Sequence, residues 1–317
     1  MRSEFDFIQN IKTKYALTRV GDDCAVLPKD SRTDLVVTAD MLVEDIDFRC
    51  GWTTGKFLGQ KALAVSLSDI AAMGAEPRWA MLSIAVPKRL WDTDFPKEFF
   101  DGYYRLSTKY KVEIVGGDVS RSPDKFVIDS IVAGEVFKGK AALRSGAKPG
   151  DGIYVSGPLG GAAAGLAMLE RGERYSASLP GWKKTLLLKQ LAPLPSSLGA
   201  ELRKLGASSM IDLSDGLSSD LAHICNASGV GARLDANLIP IHREIDGLNL
   251  TSHEKFDLAL NGGEDFELLF TVDEKKISPK KLGKFFRIGD VTANIDIIEL
   301  IDGKRLQILQ PKGYRHF

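Results

Sequence analysis

The sequence predicts an α/β (α+β) protein of two domains. Its 317 residues suffice for about two domains of ~150 residues, each with a hydrophobic core of its own. Apolar runs rich in β-branched residues alternate with stretches whose apolar residues recur every three or four positions, which are the patterns of strands and helices. Glycine, proline and lysine interrupt this alternation between Lys138 and Asp151. We therefore expect an N-terminal domain of residues 1–138 and a C-terminal domain of residues 139–317.

The N-terminal domain is predicted to alternate strands with helices. Leu35–Asp40 is a β-branched run that ends in an acid, and Trp79–Val86 is an apolar run that a proline closes. Between them, apolar side chains at positions 63, 67 and 70 fall on one helical face that ends at Gly74. The further elements expected here are a helix at 95–110, a strand at 112–115 that leads into a Gly-Gly-Asp turn, and a strand at 126–137.

The C-terminal domain is predicted to follow the same pattern. Gly152–Ser156 is a strand, and a glycine-rich turn leads from it into a helix of small residues that ends at Leu169. A later helix is indicated by apolar residues at 217, 221 and 224, and its entry turn holds Ser214 and Asp215. Further strands are expected at 210–213, 266–272, 288–292 and 295–301.

Composition excludes several classes of protein. The 42 basic and 42 acidic residues give no net charge, and no Lys/Arg block is long enough for a nucleic-acid groove. Three distant cysteines indicate reduced thiols, and the four histidines lack zinc-ligand spacing. The N-terminus has no apolar signal core, and no apolar run reaches ~20 residues. We expect a cytoplasmic protein that binds neither nucleic acid nor membrane.

Six short acidic motifs carry the functional prediction. Each places carboxylates beside Gly, Ser or another acid, where a predicted strand or helix ends. Clustered carboxylates repel one another unless cations neutralise them, and Mg²⁺ prefers such oxygen ligands. The sequence therefore predicts a site for Mg²⁺ and a polyphosphate. The motifs are Gly21-Asp22-Asp23, Thr38-Ala39-Asp40, Leu67-Ser68-Asp69, Gly116-Gly117-Asp118, Asp212-Leu213-Ser214-Asp215 and Gly262-Gly263-Glu264-Asp265.

Two of these motifs are the most informative. Asp69 is the only charge between Ala62 and Ala75, so we expect its carboxylate to need a cation; the alternative is an exposed Asp on the one wet edge of the helix. Asp212 and Asp215 flank a strand-to-helix turn where two carboxylates can converge beside free N–H groups. Helix capping is an alternative for Asp215 but does not explain Asp212.

Longer strings within these regions resemble the thiamine-monophosphate kinase family. The family belongs to the aminoimidazole-ribonucleotide-synthetase-like superfamily, and the similarity extends from about Phe5 to the C-terminus. The strings are Gly-Asp-Asp-Cys-Ala-Val-Leu (21–27), Lys-Ala-Leu-Ala-Val-Ser-Leu-Ser-Asp-Ile-Ala-Ala-Met-Gly-Ala (61–75), Gly-Gly-Asp-Val-Ser-Arg (116–121), Arg-Ser-Gly-Ala-Lys-Pro-Gly-Asp (144–151), Ile-Asp-Leu-Ser-Asp-Gly-Leu-Ser-Ser-Asp-Leu (211–221), Gly-Gly-Glu-Asp-Phe-Glu-Leu (262–268) and the terminal Gly-Tyr-Arg-His-Phe.

The resemblance implies a fold, a reaction and a set of site residues. The N-terminal domain would pair with its twin in a homodimer, and the C-terminal domain would cover the nucleotide. ATP and thiamine monophosphate would give ADP and thiamine diphosphate, with several Mg²⁺ ions. The implied metal ligands are Asp23, Thr38, Ala39, Asp40, Asp69, Asp118, Asp212 and Asp215. The implied ATP contacts are Tyr110, Gly117, Asp118, Arg144 and Ser214, and the implied thiamine-side contacts are Asp47, Glu264 and Tyr314.

Two positions depart from the family's pattern. Asp47 stands where many relatives carry His, and Ala39 replaces a hydroxyl residue, so only its backbone oxygen could coordinate. The expected mechanism needs no catalytic base, because the acceptor phosphate is already anionic at neutral pH. We expect direct in-line transfer in which Mg²⁺ screens the repulsion between two anions, with Asp69, Asp118 and Asp212 the most critical residues.

Three alternatives stay open. Selenophosphate synthetase would need a reactive Cys or selenocysteine, for which Cys24 is poorly placed, and a purine-pathway relative fits the Gly-Gly-Glu-Asp and terminal Gly-Tyr motifs less well. A non-catalytic Mg²⁺- or nucleotide-binding regulator would need only some of the acids. An assay for thiamine diphosphate separates these from the kinase.

Overall fold

The structure is a computed structural model that describes residues 4–314. Its helices are α1 Glu4–Lys14, α2 Gly55–Ala72, α3 Lys88–Trp91, α4 Phe95–Tyr110, α5 Gly161–Glu170, α6 Gly181–Leu191, α7 Gly199–Leu205, α8 Leu217–Ser228, α9 Ser252–Asn261 and α10 Pro279–Leu282. Its strands are β1 Ala25–Pro28, β2 Thr33–Val43, β3 Glu76–Pro87, β4 Glu113–Ser122, β5 Val127–Phe137, β6 Gly152–Val155, β7 Ser209–Asp212, β8 Gly231–Asp235, β9 Leu268–Val272, β10 Phe286–Thr292, β11 Ile298–Asp302 and β12 Arg305–Ile308.

The N-terminal sheet has the strand order β1-β2-β5-β3-β4. Strands β3 and β4 run parallel, and the other neighbours run antiparallel. Helix α2 packs on this sheet and crosses α4 very closely: a Cβ added at Gly59 would lie 1.8 Å from the carbonyl oxygen of Phe99. Glycine is therefore required for this crossing, which buries Leu63, Ile70 and Tyr103 completely.

The C-terminal sheet has seven strands in the order β12-β11-β8-β10-β6-β9-β7. Its core contains fully buried apolar side chains such as Ile153, Leu221 and Leu269. Helix α2 of the N-terminal domain contacts β7 at the edge of this sheet, and Ser68 on α2 donates a hydrogen bond to Asp212 on β7 over 2.6 Å. This contact joins the two sheets at the point where the acidic residues collect. Within the described residues, no helix is long and apolar enough to cross a membrane.

The mixed α/β class and the two-sheet architecture confirm the predicted fold class. The predicted helix 95–110 coincides with α4, and most predicted strands are present with ends shifted by a few residues. Elements with weaker sequence patterns were not predicted, among them the helices α1, α3, α6, α7, α9 and α10 and the strands β8 and β12.

The position predicted for the acidic motifs was wrong in three places. They were expected at the ends of elements, but Asp40 lies inside β2, Asp69 inside α2 and Asp118 inside β4. Gly116-Gly117-Asp118 is not a turn, since β4 continues through it to Ser122. Gly117 has φ +148°, and a Cβ there would lie 1.8 Å from the carbonyl oxygen of Leu82 on β3. Crowding between the strands is therefore sufficient to require glycine at this position.

Candidate active site

Three of the predicted acids meet at one point. Asp23 precedes β1, Asp69 lies on α2 and Asp212 ends β7. One carboxylate oxygen from each lies within 4.8 Å of the others. Folding thus brings together segments that are more than 40 residues apart in the sequence. We call Asp23, Asp40, Asp69 and Asp212 the acidic cluster, since Asp40 on β2 interacts electrostatically with the other three.

Burial and mutual repulsion raise the pKa of each member of the acidic cluster. Burial is the largest cause for all four carboxyls, and it raises the pKa of Asp23 to about 7 and the pKa values of Asp40 and Asp212 to about 6. The pKa of Asp69 is raised well above its ordinary value by burial, then by Asp40, Asp212 and Asp23. Like charges held together away from water need a counter-ion to remain ionised.

The partners within the protein neutralise the cluster only in part. Arg144 donates to Asp23 Oδ1 from Nε over 3.0 Å and from Nη2 over 2.5 Å, and its backbone N–H donates to Asp22. Thr38 donates to Asp69, and Ser68 donates to Asp212. Asp23 Oδ2 is buried, and within the described residues it has no hydrogen-bond partner. An unpartnered buried carboxylate oxygen among further carboxylate and hydroxyl oxygens is the donor set that Mg²⁺ prefers, so these residues fit that ion.

A cavity of about 1000 Å³ opens over the acidic cluster, and we call it the larger cavity. Its lining includes Thr38, Ala39, Arg144, Ser214 and Asp215 together with Asp23 and Asp69. It is large enough for a nucleoside triphosphate, because ligand pockets commonly range from about 300 to 1,000 Å³.

The turn before α8 is built differently from the prediction. The backbone N–H groups of Asp215 and Gly216 donate to the buried carboxylate of Asp220, so they are not free for an anion. Gly216 occupies the N-cap position, and no side chain caps the helix, so Asp215 is not the cap. Asp220 was not among the predicted site residues, although it lies in the same string as Asp215, residues 211–221. One carboxylate or imidazole atom of each of Asp215, Asp220 and His223 lies within 4.8 Å of the others.

A second cavity of about 210 Å³ is also lined by Tyr314, and we call it the smaller cavity. Most of its wall is apolar or aromatic, and its lining includes Phe48, Trp52, Leu58, Leu166, Leu169 and Leu191. Its polar groups come from Asp47, Arg49, Thr53, Lys61, Glu170 and Gln190. Tyr314 lines both cavities, and its backbone N–H donates to the carbonyl oxygen of Asp215. The two cavities therefore share one side chain.

Of the predicted thiamine-side residues, Asp47 and Tyr314 line the smaller cavity, and Glu264 contacts two residues that line it. Asp47 lines it, but its carboxylate accepts a hydrogen bond from the backbone N–H of Val43 and so supports its own turn. Glu264 has φ +64°, and its carboxylate accepts from Lys61 and Gln190. Its backbone N–H donates to the carbonyl oxygen of Ser214, which ties the Gly-Gly-Glu-Asp loop to the turn before α8.

Three predicted residues lie away from the acidic cluster in this chain. Gly117 is in register with Leu82, Leu82 with Ser130 and Ser130 with Asp40, so three strand spacings separate Gly117 from Asp40. That separation is about 14 Å. Asp118 is exposed beside it. Tyr110 is half-buried, and its hydroxyl donates to the carbonyl oxygen of Pro195. Within residues 4–314, the lining of the larger cavity includes none of these three.

The two sheets correspond to two known protein domains. Residues 21–136 match the N-terminal domain of AIR synthase related proteins, and residues 148–297 match the C-terminal domain of the same family. The chain therefore belongs to the AIR synthase related proteins, whose two domains here hold the acidic cluster between them.

Similarity to individual proteins extends over the whole chain. It is 40% identical to a thiamine-monophosphate kinase of Escherichia coli (strain K12) over 305 residues, 94% of this chain and 91% of that protein. It is 36% identical to a thiamine-monophosphate kinase of Buchnera aphidicola subsp. Schizaphis graminum (strain Sg), over 99% of both chains. A solved structure described as AaThiL complexed with AMPPCP and TMP matches with a TM-score of 0.88 at 30% identity, over 100% of this chain and 99% of that one. The chain belongs to the thiamine-monophosphate kinase family.

Proposed function

We propose that this chain transfers the γ-phosphoryl group of ATP directly to thiamine monophosphate, giving ADP and thiamine diphosphate, with Mg²⁺ at the acidic cluster. One observation carries the proposal: carboxylates of Asp23, Asp69 and Asp212 meet within 4.8 Å, beside two cavities that share Tyr314. The relatives named as thiamine-monophosphate kinases support the reaction. The similar structure that was solved with AMPPCP, an ATP analogue, and TMP supports the two substrates.

The acidic cluster would hold the metal ions. Asp23, Asp40, Asp69 and Asp212 would supply carboxylates, and Thr38, Ala39 and Asp215, which line the larger cavity, would supply further oxygens. When bound, Mg²⁺ would screen the negative charge of two phosphate groups, and this is the chemistry that it supplies. The fit rests on the unpartnered buried Oδ2 of Asp23 and on donors that are all hard oxygens.

The chain's own residues orient the two substrates. Arg144 and Ser214 line the larger cavity, where they would contact the phosphates of ATP. Phe48, Trp52 and Leu58 line the smaller cavity, where they would pack against the rings of thiamine. Tyr314 between the cavities would set the distance between acceptor and donor. No side chain has to remove a proton, because a phosphate monoester is largely ionised at neutral pH; orientation and exclusion of water are the protein's contribution.

We further propose that the active form is a homodimer. Strand β4 is the edge of its sheet, and Val115 and Val119 on it are 51% and 58% exposed, with Met81 on β3 44% exposed. An exposed apolar edge strand is a template for pairing with another chain. Asp118, Gly117 and Tyr110 would then serve the nucleotide site of the second copy, which accounts for their distance from the acidic cluster of their own chain.

A complementation experiment tests the dimer proposal. Asp69→Asn and Asp118→Asn chains should each be inactive alone. If Asp118 serves the second copy, a mixed dimer has one site with both lesions and one intact site, so an equal mixture of re-associated chains should recover roughly a quarter of wild-type turnover. If Asp118 serves its own chain, every site in the mixture keeps a lesion, and no recovery will be measured.

The remaining assignments complete the proposal. Residues 1–138 would form the metal-binding and dimerisation domain, and residues 139–317 would cover the nucleotide and the thiamine. The reaction would take place in the cytoplasm, where ATP is available.

The direct test is an assay of the purified chain with ATP, Mg²⁺ and thiamine monophosphate. Thiamine diphosphate and ADP should appear in equal amounts, and Asp69→Asn should lower turnover by at least roughly 10²-fold. ADP formation without thiamine diphosphate would instead indicate another ATP-using member of the superfamily, and nucleotide binding without turnover would indicate a regulator. Covalent phosphate trapped on the chain during turnover would contradict direct in-line transfer.

A further inference from the structure

Gln190 is a polar group in the smaller cavity to which the proposed mechanism gives no role. It lies near the end of α6, it is 7% exposed, and its side-chain amide contacts Glu264. A carboxylate oxygen only accepts hydrogen bonds, so the contact must come from Nε2, and this fixes the orientation of the amide. The other end of the amide, Oε1, is an acceptor, and within the described chain no group donates to it.

An ion pair between the buried Lys61 and the half-buried Glu264 holds Glu264 in the position that orients Gln190. Lys61 on α2 is 3% exposed, and its Nζ lies 2.7 and 2.8 Å from the two carboxylate oxygens of Glu264. The same Nζ lies 3.4 Å from the backbone oxygen of Asp47. These contacts occupy the ammonium donors, and a buried lysine is tolerated only when it is paired in this way. The pair joins the two domains, because Lys61 precedes the boundary at residue 138 and Glu264 follows it.

The polar wall of the smaller cavity thus has a defined pattern. Lys61 and Gln190 line the cavity, whereas Glu264, whose side chain is 30% exposed, is outside the lining and contacts both of them. Lys61 uses its donors on Glu264 and Asp47, so Oε1 of Gln190 is left as an oriented acceptor in a cavity whose lining also holds leucines, aromatic rings, Arg49, Thr53 and Glu170. A ligand group that meets it must donate a hydrogen bond; an oxygen acceptor in the same place would leave two buried acceptors facing each other, which is costly.

We propose that Gln190 is a specificity-determining residue that accepts a hydrogen bond from an exocyclic amino group on the ring end of the substrate. This inference rests on the proposed function, because the pyrimidine ring of thiamine monophosphate carries one such amino group. Lys61 and Glu264 are positioning residues for Gln190. The contact is remote from the reacting phosphate, so it stabilises ground state and transition state alike and sets KM rather than kcat.

The experiment compares two substrates in the full-length chain. One is thiamine monophosphate, and the other is its analogue with a carbonyl oxygen in place of the amino group. Wild-type protein should prefer the amino substrate by at least roughly tenfold in kcat/KM, because a site built around a hydrogen bond rejects the analogue that cannot make it. Gln190→Met, which keeps an unbranched side chain of similar volume, should reduce this preference to within about twofold, mainly through KM.

Two further variants separate specificity from folding. Gln60→Leu is the matched control, because Gln60 donates to the backbone oxygens of Ala192 and Pro193 and is absent from the lining of the smaller cavity; its preference should stay at the wild-type value. Gln190→Asn keeps the amide but is one methylene shorter, and it should lose the preference as Gln190→Met does.

The outcomes distinguish this inference from the proposed function. Wild-type protein that makes no thiamine diphosphate refutes the proposed function. Wild-type protein that makes it while using both substrates equally overturns the role of Gln190, whatever the variants do. The same role is overturned if Gln190→Met or Gln190→Asn retains the wild-type preference.

Discussion

Replacing Asp212 with Asn should stabilise the metal-free protein at alkaline pH while it abolishes activity. Asp212 is 2% exposed, and burial raises its pKa from 3.8 to about 6. A folded-state pKa above the unfolded value means that the folded state binds the proton more tightly, so stability falls as pH rises from about 4 through about 6. At 1.36 kcal/mol per pKa unit, ionising Asp212 costs the fold about 3 kcal/mol at pH 8 and roughly half as much at pH 5.

Asparagine removes this cost because it is neutral at every pH. Its side-chain oxygen can still accept the hydrogen bond from Ser68. In EDTA at pH 8, thermal unfolding of Asp212→Asn should therefore occur about 4–5 °C above the wild type, with roughly half that gain at pH 5. Added Mg²⁺ should stabilise the wild type and narrow or reverse the difference, since a ligand stabilises the state that binds it. Turnover of the variant should fall by on the order of 10²-fold or more.

Asp151→Asn provides the control for this experiment. Asp151 is 5% exposed and accepts hydrogen bonds from the backbone N–H of Lys148 and the hydroxyl of Ser208, outside the acidic cluster. Its replacement should lower stability at both pH values and leave the response to Mg²⁺ unchanged. If Asp212→Asn in EDTA is destabilised at pH 8 in the same way as Asp151→Asn, the cost of burying the ionised carboxylate of Asp212 is not the dominant force, and the reasoning fails.

Two further substitutions test the role of Tyr314 and the role of the edge strand β4 in the proposed dimer. A Cβ at Gly313 would lie 2.4 Å from the backbone oxygen of Asp215, so Gly313→Ala should displace Tyr314 and raise KM for thiamine monophosphate roughly tenfold; an unchanged KM would remove Tyr314 from the substrate site. Val119→Lys places a charge on the exposed edge strand and should give a monomer of low activity by light scattering; a fully active monomer would exclude the proposed dimer.

The acids of the cluster could be predicted because a carboxylate within or directly after an apolar run stands out in the sequence. Asp69 stands alone in an apolar helix, and Asp212 ends a buried strand; both lie in the cluster. Lys61 gave the same kind of signal at the start of the motif that contains Asp69, but its partner Glu264 is 203 residues away. A charge pattern along the chain indicates that a counter-charge is needed, and only the fold shows which residue provides it.

Other site features could not be predicted, because they depend on neighbours in space. Gln190 gains its orientation from Glu264, and no sequence pattern around α6 indicates an acceptor facing a cavity. The glycine in Gly116-Gly117-Asp118 suggested a turn, because glycine most often permits one. Gly117 is instead required because a Cβ at this position would collide with the carbonyl oxygen of Leu82 on the adjacent strand. Helices α6 and α7 were missed because their stability comes from packing: Leu186 and Leu187 of α6 and Leu202 of α7 are fully buried.

The acidic cluster is neutralised enough to fold but not enough to be electrically satisfied without a cation. Arg144 lowers the pKa of Asp23, Ser68 lowers that of Asp212 and Thr38 lowers that of Asp69, yet burial outweighs each of these contacts and every pKa stays raised. A divalent cation supplies what these partners do not, so its binding energy and the instability of the metal-free cluster have the same origin. Any substitution that removes one carboxylate of the acidic cluster should therefore raise the stability of the metal-free protein and lower its affinity for the metal.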